Sequence, residues 1–203
     1  MKAKVIKKSN LKKIKKDFDN FPDNKKIIFS AVIKLFEIFD DKIILIKIYE
    51  GNDIDLKIKL NSNEYKYVKI LHSVDDKFGI MNLNMHERKI GKNNLYNMIN
   101  NDINYENKLS KETRNEILRY IDFNRNRKKL LYILIDNNNY YIMKEQTIKG
   151  IILKDVEYMY KKDSSYKIYN GNIPVNFIND YWNSYLKAKK KSELDVWKLV
   201  MKG

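Results

Sequence analysis

Residues 42–74, KIILIKIYEGNDIDLKIKLNSNEYKYVKILHSV, decide the fold. In the first run Ile44, Ile46 and Ile48 alternate with Leu45, Lys47 and Tyr49. In the second, Ile54, Leu56, Ile58 and Leu60 alternate with Asp55, Lys57 and Lys59. Period-two alternation buries one set of side chains and leaves the other in water, as a half-buried antiparallel strand requires. Between the runs, Glu50-Gly51-Asn52-Asp53 supplies the Gly and Asn that tight hairpin turns favour. A third alternating run, Tyr65 to Leu71, follows Asn61-Ser62-Asn63. The stretch therefore reads as a three-stranded meander ending at His72.

Towards the N-terminus, Phe21-Pro22-Asp23 punctuates the chain, and Asp23 is the expected N-cap of a helix over residues 24–39. Ile28, Val32, Leu35, Phe36 and Phe39 form its apolar stripe, widened by Ile27 and Ala31. Residues 1–20 form a basic N-terminal segment with eight lysines in the first sixteen positions. There Leu11, Ile14 and Phe18 recur at helical spacing, which fits either an amphipathic helix or a solvated terminus.

Beyond the meander, residues 75–91 are irregular and contain His86; Met81, Leu83 and Met85 alternate as in a short strand. A helix is expected from Asn93 or Asn94 to Asn100, and another from an N-cap at Ser110 to Phe123. From Leu130 the period returns to two. LLYILIDNNNYYIMKEQ reads as two strands around residues 136–139. TIKGIILKDVEYMYKK and SSYKIYNGN read as two or three more, with a bulge at Gly150. A helix from Pro174 to about Lys191 and a last helical segment from Glu193 to Met201 close the chain. The fold class is α+β: an antiparallel sheet of about six to eight strands with helices packed on one side. Residues 21–203 read as a single domain.

The 203 residues include 41 Lys and Arg against 26 Asp and Glu, a formal net charge of +15. Nucleic acid is the natural partner at that excess, and an acidic DNA mimic is excluded. Codon bias towards Lys, Ile and Asn enriches acidic codons as well, so it does not by itself yield this imbalance. No cysteine is present, which removes disulfides and thiolate zinc sites. No apolar run reaches the roughly 18 residues of a membrane helix, so no membrane partner and a cytoplasmic location are expected.

P-loop, Rossmann, HExxH and GxSxG patterns are all missing. Asp53, Asp55 and Lys57 could serve a metal-dependent nuclease, although Asp55 and Lys57 fit equally as water-facing hairpin positions. A metal-independent ribonuclease needs only a base, an acid and cations on the phosphate, because the RNA 2′-hydroxyl is the nucleophile. Imidazole is the side chain type that serves as base or acid near neutral pH, which makes His72 a candidate; it also fits as a strand-end histidine with an ordinary hydrogen bond. Tyr67 and Glu145 are further polar groups at sheet positions, and Arg119, Arg125 and Arg127 can hold phosphate.

The order of a helix, the 42–74 hairpin region, NLYNMINNDINYENKLSKETRNEILRYIDF and a run of strands resembles the phage Barnase–EndoU–Colicin–RelE-like nucleases over residues 33–169. In that resemblance His72 matches the family's second histidine and Arg119 its helical arginine. Tyr67 stands where the first histidine is expected, Ile70 replaces a glycine, and Tyr120 follows Arg119 in place of Ile. The resemblance implies a barnase/RelE-like sheet and an RNA-directed, toxin-like protein of a phage or mobile element. Such a protein either cleaves RNA without metal or cofactor, with His72, Arg119 and Tyr67 as its catalytic set, or has kept RNA affinity alone. Lys69, Arg114, Arg125, Arg127, Lys187, Lys189 and Lys190 are its expected nucleic-acid contacts. The rival reading is a non-enzymatic basic host-defence or phage factor that grips nucleic acid or a nucleoprotein complex and blocks it.

Overall fold

The computed structural model describes residues 4–49, 54–79, 110–115, 130–137, 139–162 and 172–202. The meander forms as read: β2 (Ile43–Ile48), β3 (Leu56–Leu60) and β4 (Tyr65–His72) pair antiparallel in sequence order. Two additions complete the main sheet. On one side β1 (Lys4–Lys7) pairs with β2; on the other β6 (Leu130–Asp136) pairs with β4, and β7 (Asn139–Lys144) with β6. The order is β1-β2-β3-β4-β6-β7. The β4–β6 pairing is parallel, in a sheet otherwise antiparallel as expected. A parallel neighbour needs a long crossover, and residues 73–129 are long enough to provide one. A separate ribbon joins β5 (Lys77–Gly79) to β8 (Asn172–Pro174).

Register sorts the side chains into two faces. One carries the rows Ile6–Ile46–Ile58, Ile48–Leu56–Val68–Leu131 and Ile70–Ile133–Ile142, all of them buried. Helix α2 (Asp23–Ile38) lies on this face through Phe29, Val32, Leu35 and Phe36. Lys34 of α2 sits 5.4 Å from the Tyr140 ring, and Lys4 of β1 sits 4.8 Å from the Phe29 ring. The short helix α1 (Leu11–Lys16) adds buried Ile14, so the amphipathic alternative for this segment is the one the chain adopts. The C-terminal helix α5 (Glu193–Lys202) adds Val196, Trp197, Val200 and Met201, with Trp197 6.5 Å from the Phe39 ring.

Over β6 and β7 the opposite face is covered too, because Tyr141 meets Trp182 of α4 (Val175–Lys189) edge-on at 6.0 Å. Burial on both faces explains why every residue of β6 is buried and why its sequence is a continuous apolar run rather than an alternating one.

Two local expectations are corrected. Residues 145–162, read as strands with a bulge at Gly150, form the single helix α3 (Glu145–Lys162). Ile148, Ile151 and Ile152 are buried at helical spacing, and the space around Gly150 is open, with nothing within 4 Å of the position a Cβ would take. The cap of α2 is Pro22, with ψ 149°, and Asp23 is the first helical residue, facing Lys26 at 3.4 Å. Its carboxylate still suits the positive end of the helix dipole. Ser110 does cap the helical turn at 111–115, accepting a hydrogen bond from Thr113 N–H at 3.1 Å. The strand at 81–85, the helix at 93–100 and the SSYKIYNG segment lie outside the described residues.

Candidate nucleic-acid interface

Opposite the isoleucine rows, the β1–β4 half of the sheet carries lysine and tyrosine. The same registers that align the core also align Val5–Lys47–Lys57–Tyr67 in one row and Lys7–Leu45–Lys59–Tyr65 in the next. Lys47, Lys57, Lys59 and Tyr67 are half-buried against one another, and Tyr65 is 45% exposed. Lys57 Nζ stands 4.1 Å from the Tyr65 ring centroid and 5.6 Å from that of Tyr67. A cation over an aromatic face is attracted by the ring quadrupole, so Lys57 joins the two tyrosines into one cluster.

Among the described residues, little acid faces the charge on this surface. Among the described residues Lys47, Lys57 and Lys59 form no ion pair. Lys47 and Lys57 lie directly across from each other, and like charges in that position destabilise a sheet. Leaving them together makes a surface that an anion would relieve.

One acid does belong to the surface. Asp55 Oδ2 accepts the Ile70 backbone N–H at 2.7 Å, and Oδ1 faces Lys69 Nζ at 3.2 Å. The β3 ladder partners β4 as far as Val68, and the carboxylate then takes over the role of a strand carbonyl for Ile70. Burial pushes the Asp55 pKa up, and the nearby Lys69 charge and the Ile70 N–H only partly offset it. The metal-nuclease alternative therefore loses Asp55, whose two oxygens already serve a lysine and a main-chain amide. No cluster of three or more His, Cys, Asp or Glu that could hold a metal occurs among the described residues.

Of the expected catalytic set, Tyr67 and His72 are not brought together. Tyr67 and His72 stand five residues apart on β4, and an odd separation on a strand puts side chains on opposite faces. Tyr67 points into the lysine cluster; His72, exposed at the strand end, belongs to the face of Val68 and Ile70. Arg119, Arg125 and Arg127 lie outside the described residues, as does His86. Of the expected contacts, Lys69 sits on the lysine–tyrosine face but is paired with Asp55. Arg114 is exposed on the turn at 111–115, and Lys187, Lys189 and Lys190 are exposed at the C-terminal end of α4. Glu145 opens α3 and pairs with Lys149, one turn on, at 2.9 Å.

Lys47, Lys59 and Tyr65 are absent from the sequence-based candidates, and Lys57 figures there only beside Asp53 and Asp55 as a metal-nuclease residue. Their signal was present: all occupy water-facing positions of alternating strands. Only strand register shows that these positions coincide in two rows.

No helix among the described residues is long and apolar enough to cross a membrane. No protein-family model, curated protein or solved structure matches the chain.

Proposed function

We propose that this protein binds single-stranded nucleic acid, RNA foremost, on the lysine–tyrosine face of β2, β3 and β4. The observation that carries this reading is the Lys47–Lys57–Tyr67 row with Lys57 poised over Tyr65. Lysines aligned across strands offer successive cations to a phosphate backbone, and aromatic rings on a sheet offer stacking planes to unpaired bases. An arriving phosphate draws Lys57 off the Tyr65 ring, so one movement supplies a phosphate contact and frees a stacking surface. The resemblance to RNA-directed nucleases favours RNA. Binding without cleavage is the better reading of the two, since Tyr67 and His72 face opposite ways.

The test is fluorescence anisotropy with a labelled single-stranded RNA over a range of salt. One variant carries Lys47, Lys57 and Lys59 all changed to Gln; the control carries Lys12, Lys13 and Lys16 of α1 changed to Gln, an equal loss of charge. Each lost contact to a single strand removes about 0.7 from the slope of log K against log salt. The face variant should lose about 2 in slope and about 50-fold in affinity near 0.15 M salt. Equal losses in the two variants, or no binding by wild type, would refute the assignment.

A further inference from the structure

A second feature lies where β6 begins. A cavity of about 230 Å³ is lined by Lys66, Leu130, Leu131, Lys144, Glu145, Gln146 and Val200. Its construction follows from the register. Val68, Leu131 and Lys144 form one row across β4, β6 and β7, and Lys66 precedes Val68 by two residues on the same face. Strand spacing puts the β4 and β7 backbones about 10 Å apart here. Lys66 and Lys144 therefore flank the start of β6 from its two sides, while Val200 of α5 and the two leucines supply apolar wall.

The charges are unequal. Glu145 is paired with Lys149 at 2.9 Å, and Lys66 has a looser partner in the exposed Glu64 at 3.7 Å. Lys144 forms no ion pair among the described residues. Among the described residues the cavity thus holds two cations against one carboxylate that is already neutralised. It is smaller than the pockets of drug-sized ligands, which restricts it to a group such as the end of one nucleotide.

We infer that this cavity binds the terminal phosphomonoester of a nucleotide, with Lys66 and Lys144 on the phosphate and Leu130, Leu131 and Val200 against the sugar or base. Two lysines match a phosphomonoester, which carries a charge between about −1.5 and −2 near neutral pH, better than an internal diester with a single charge. The phosphomonoester can come from a free mononucleotide or from the end of a bound strand. The second source rests on the nucleic-acid reading above: Lys66 alternates with Tyr65 and Tyr67 in β4 and so lies on the other face of the sheet, and a strand on the lysine–tyrosine face delivers its end to the cavity only by turning over the start of β6.

The experiment titrates full-length protein with adenosine 5′-monophosphate, with adenosine, and with one RNA oligonucleotide bearing a 5′-phosphate, a 3′-phosphate or hydroxyl ends. Wild type should prefer at least one phosphorylated form by about tenfold, the worth of a charge-assisted contact. Lys144→Gln should abolish the preference and leave affinity for the hydroxyl-ended strand unchanged, because Lys144 is remote from the lysine–tyrosine rows. Lys66→Gln, checked for an unchanged melting temperature, should abolish the preference as well. A preference shown by the mononucleotide alone assigns the cavity to free nucleotides, and one shown by the oligonucleotide alone assigns it to strand ends. If no strand binds at all, the nucleic-acid reading falls, and the comparison of adenosine monophosphate with adenosine decides the cavity by itself. Equal affinities with and without phosphate, or a preference that survives Lys144→Gln, would overturn the inference.

Discussion

Replacing Lys47 with Gln should make the protein more stable and a poorer ligand for RNA. Lys47 faces Lys57 directly across the β2–β3 pair, and a like-charge pair in that position costs about 0.2–1 kcal/mol. In a chain of this length each kcal/mol moves the melting temperature by about 2–4 °C, so Lys47→Gln should raise it by roughly 0.4–4 °C. Lys57→Gln removes the same repulsion but also removes the cation 4.1 Å from the Tyr65 ring. That contact is worth about 0.5–1 kcal/mol at an exposed site, so the two effects nearly cancel and the melting temperature should stay close to wild type. Both variants lose one phosphate contact, about fourfold in affinity for a single strand near 0.15 M salt. Thermal melts and anisotropy titrations on the same preparations separate these outcomes. A lower melting temperature for Lys47→Gln, or RNA affinity equal to wild type, would refute the reasoning.

Four further outcomes follow from particular residues. Asp55→Ala strands the buried Ile70 N–H and should cost about 1–3 kcal/mol by urea denaturation; a neutral effect would mean the amide finds another partner. Asp55→Asn tests the raised pKa. The folded state holds that proton more tightly than the unfolded chain, so the carboxyl's contribution is full below the ordinary value of 3.8 and is lost as pH rises through the folded value. The stability difference, wild type minus Asp55→Asn, should accordingly fall as pH rises from acid towards neutrality and then level off, with the opposite slope counting against burial as the dominant cause. Gly150→Ala, with open space at the Cβ position inside α3, should stabilise by about 0.5–1 kcal/mol; destabilisation would argue against the helix. His72→Ala should leave RNA affinity unchanged, and RNA incubated in EDTA should remain intact with either protein; cleavage by wild type that disappears in the variant would restore the nuclease reading.

The parts of the fold legible in the sequence are those whose burial pattern is simple. β3 buries Leu56, Ile58 and Leu60 as read, because one face meets the core and the other does not. In β2 the alternation misleads at its start: the register shifts between Ile43 and Leu45, so Ile43 is buried and Ile44 is 43% exposed. The helix α3 went unread because Ile148, Ile151 and Ile152 are β-branched residues with Gly150 among them, a composition that favours strands until packing decides otherwise. β1 was missed since Lys-Val-Ile-Lys holds a single buried side chain, Ile6, and gains its place only by pairing with β2. The parallel docking of β6 on β4 has no local signal at all. For the site the balance differs. The odd spacing of Tyr67 and His72 already separated them, whereas the convergence of Lys47, Lys57, Lys59, Tyr65 and Tyr67 depends on pairing among three strands.

Photo-crosslinking reads at residue level whether nucleic acid lies on the β2–β4 lysine–tyrosine face. A single-stranded RNA containing 4-thiouridine would be crosslinked to wild-type protein and the attached peptides mapped by mass spectrometry. Crosslinks at Tyr65 and Tyr67, competed away by unlabelled RNA, are the expected result. Crosslinks confined to the lysines of α1 or to Lys187–Lys190 at the end of α4, with none on β3 or β4, would contradict the account.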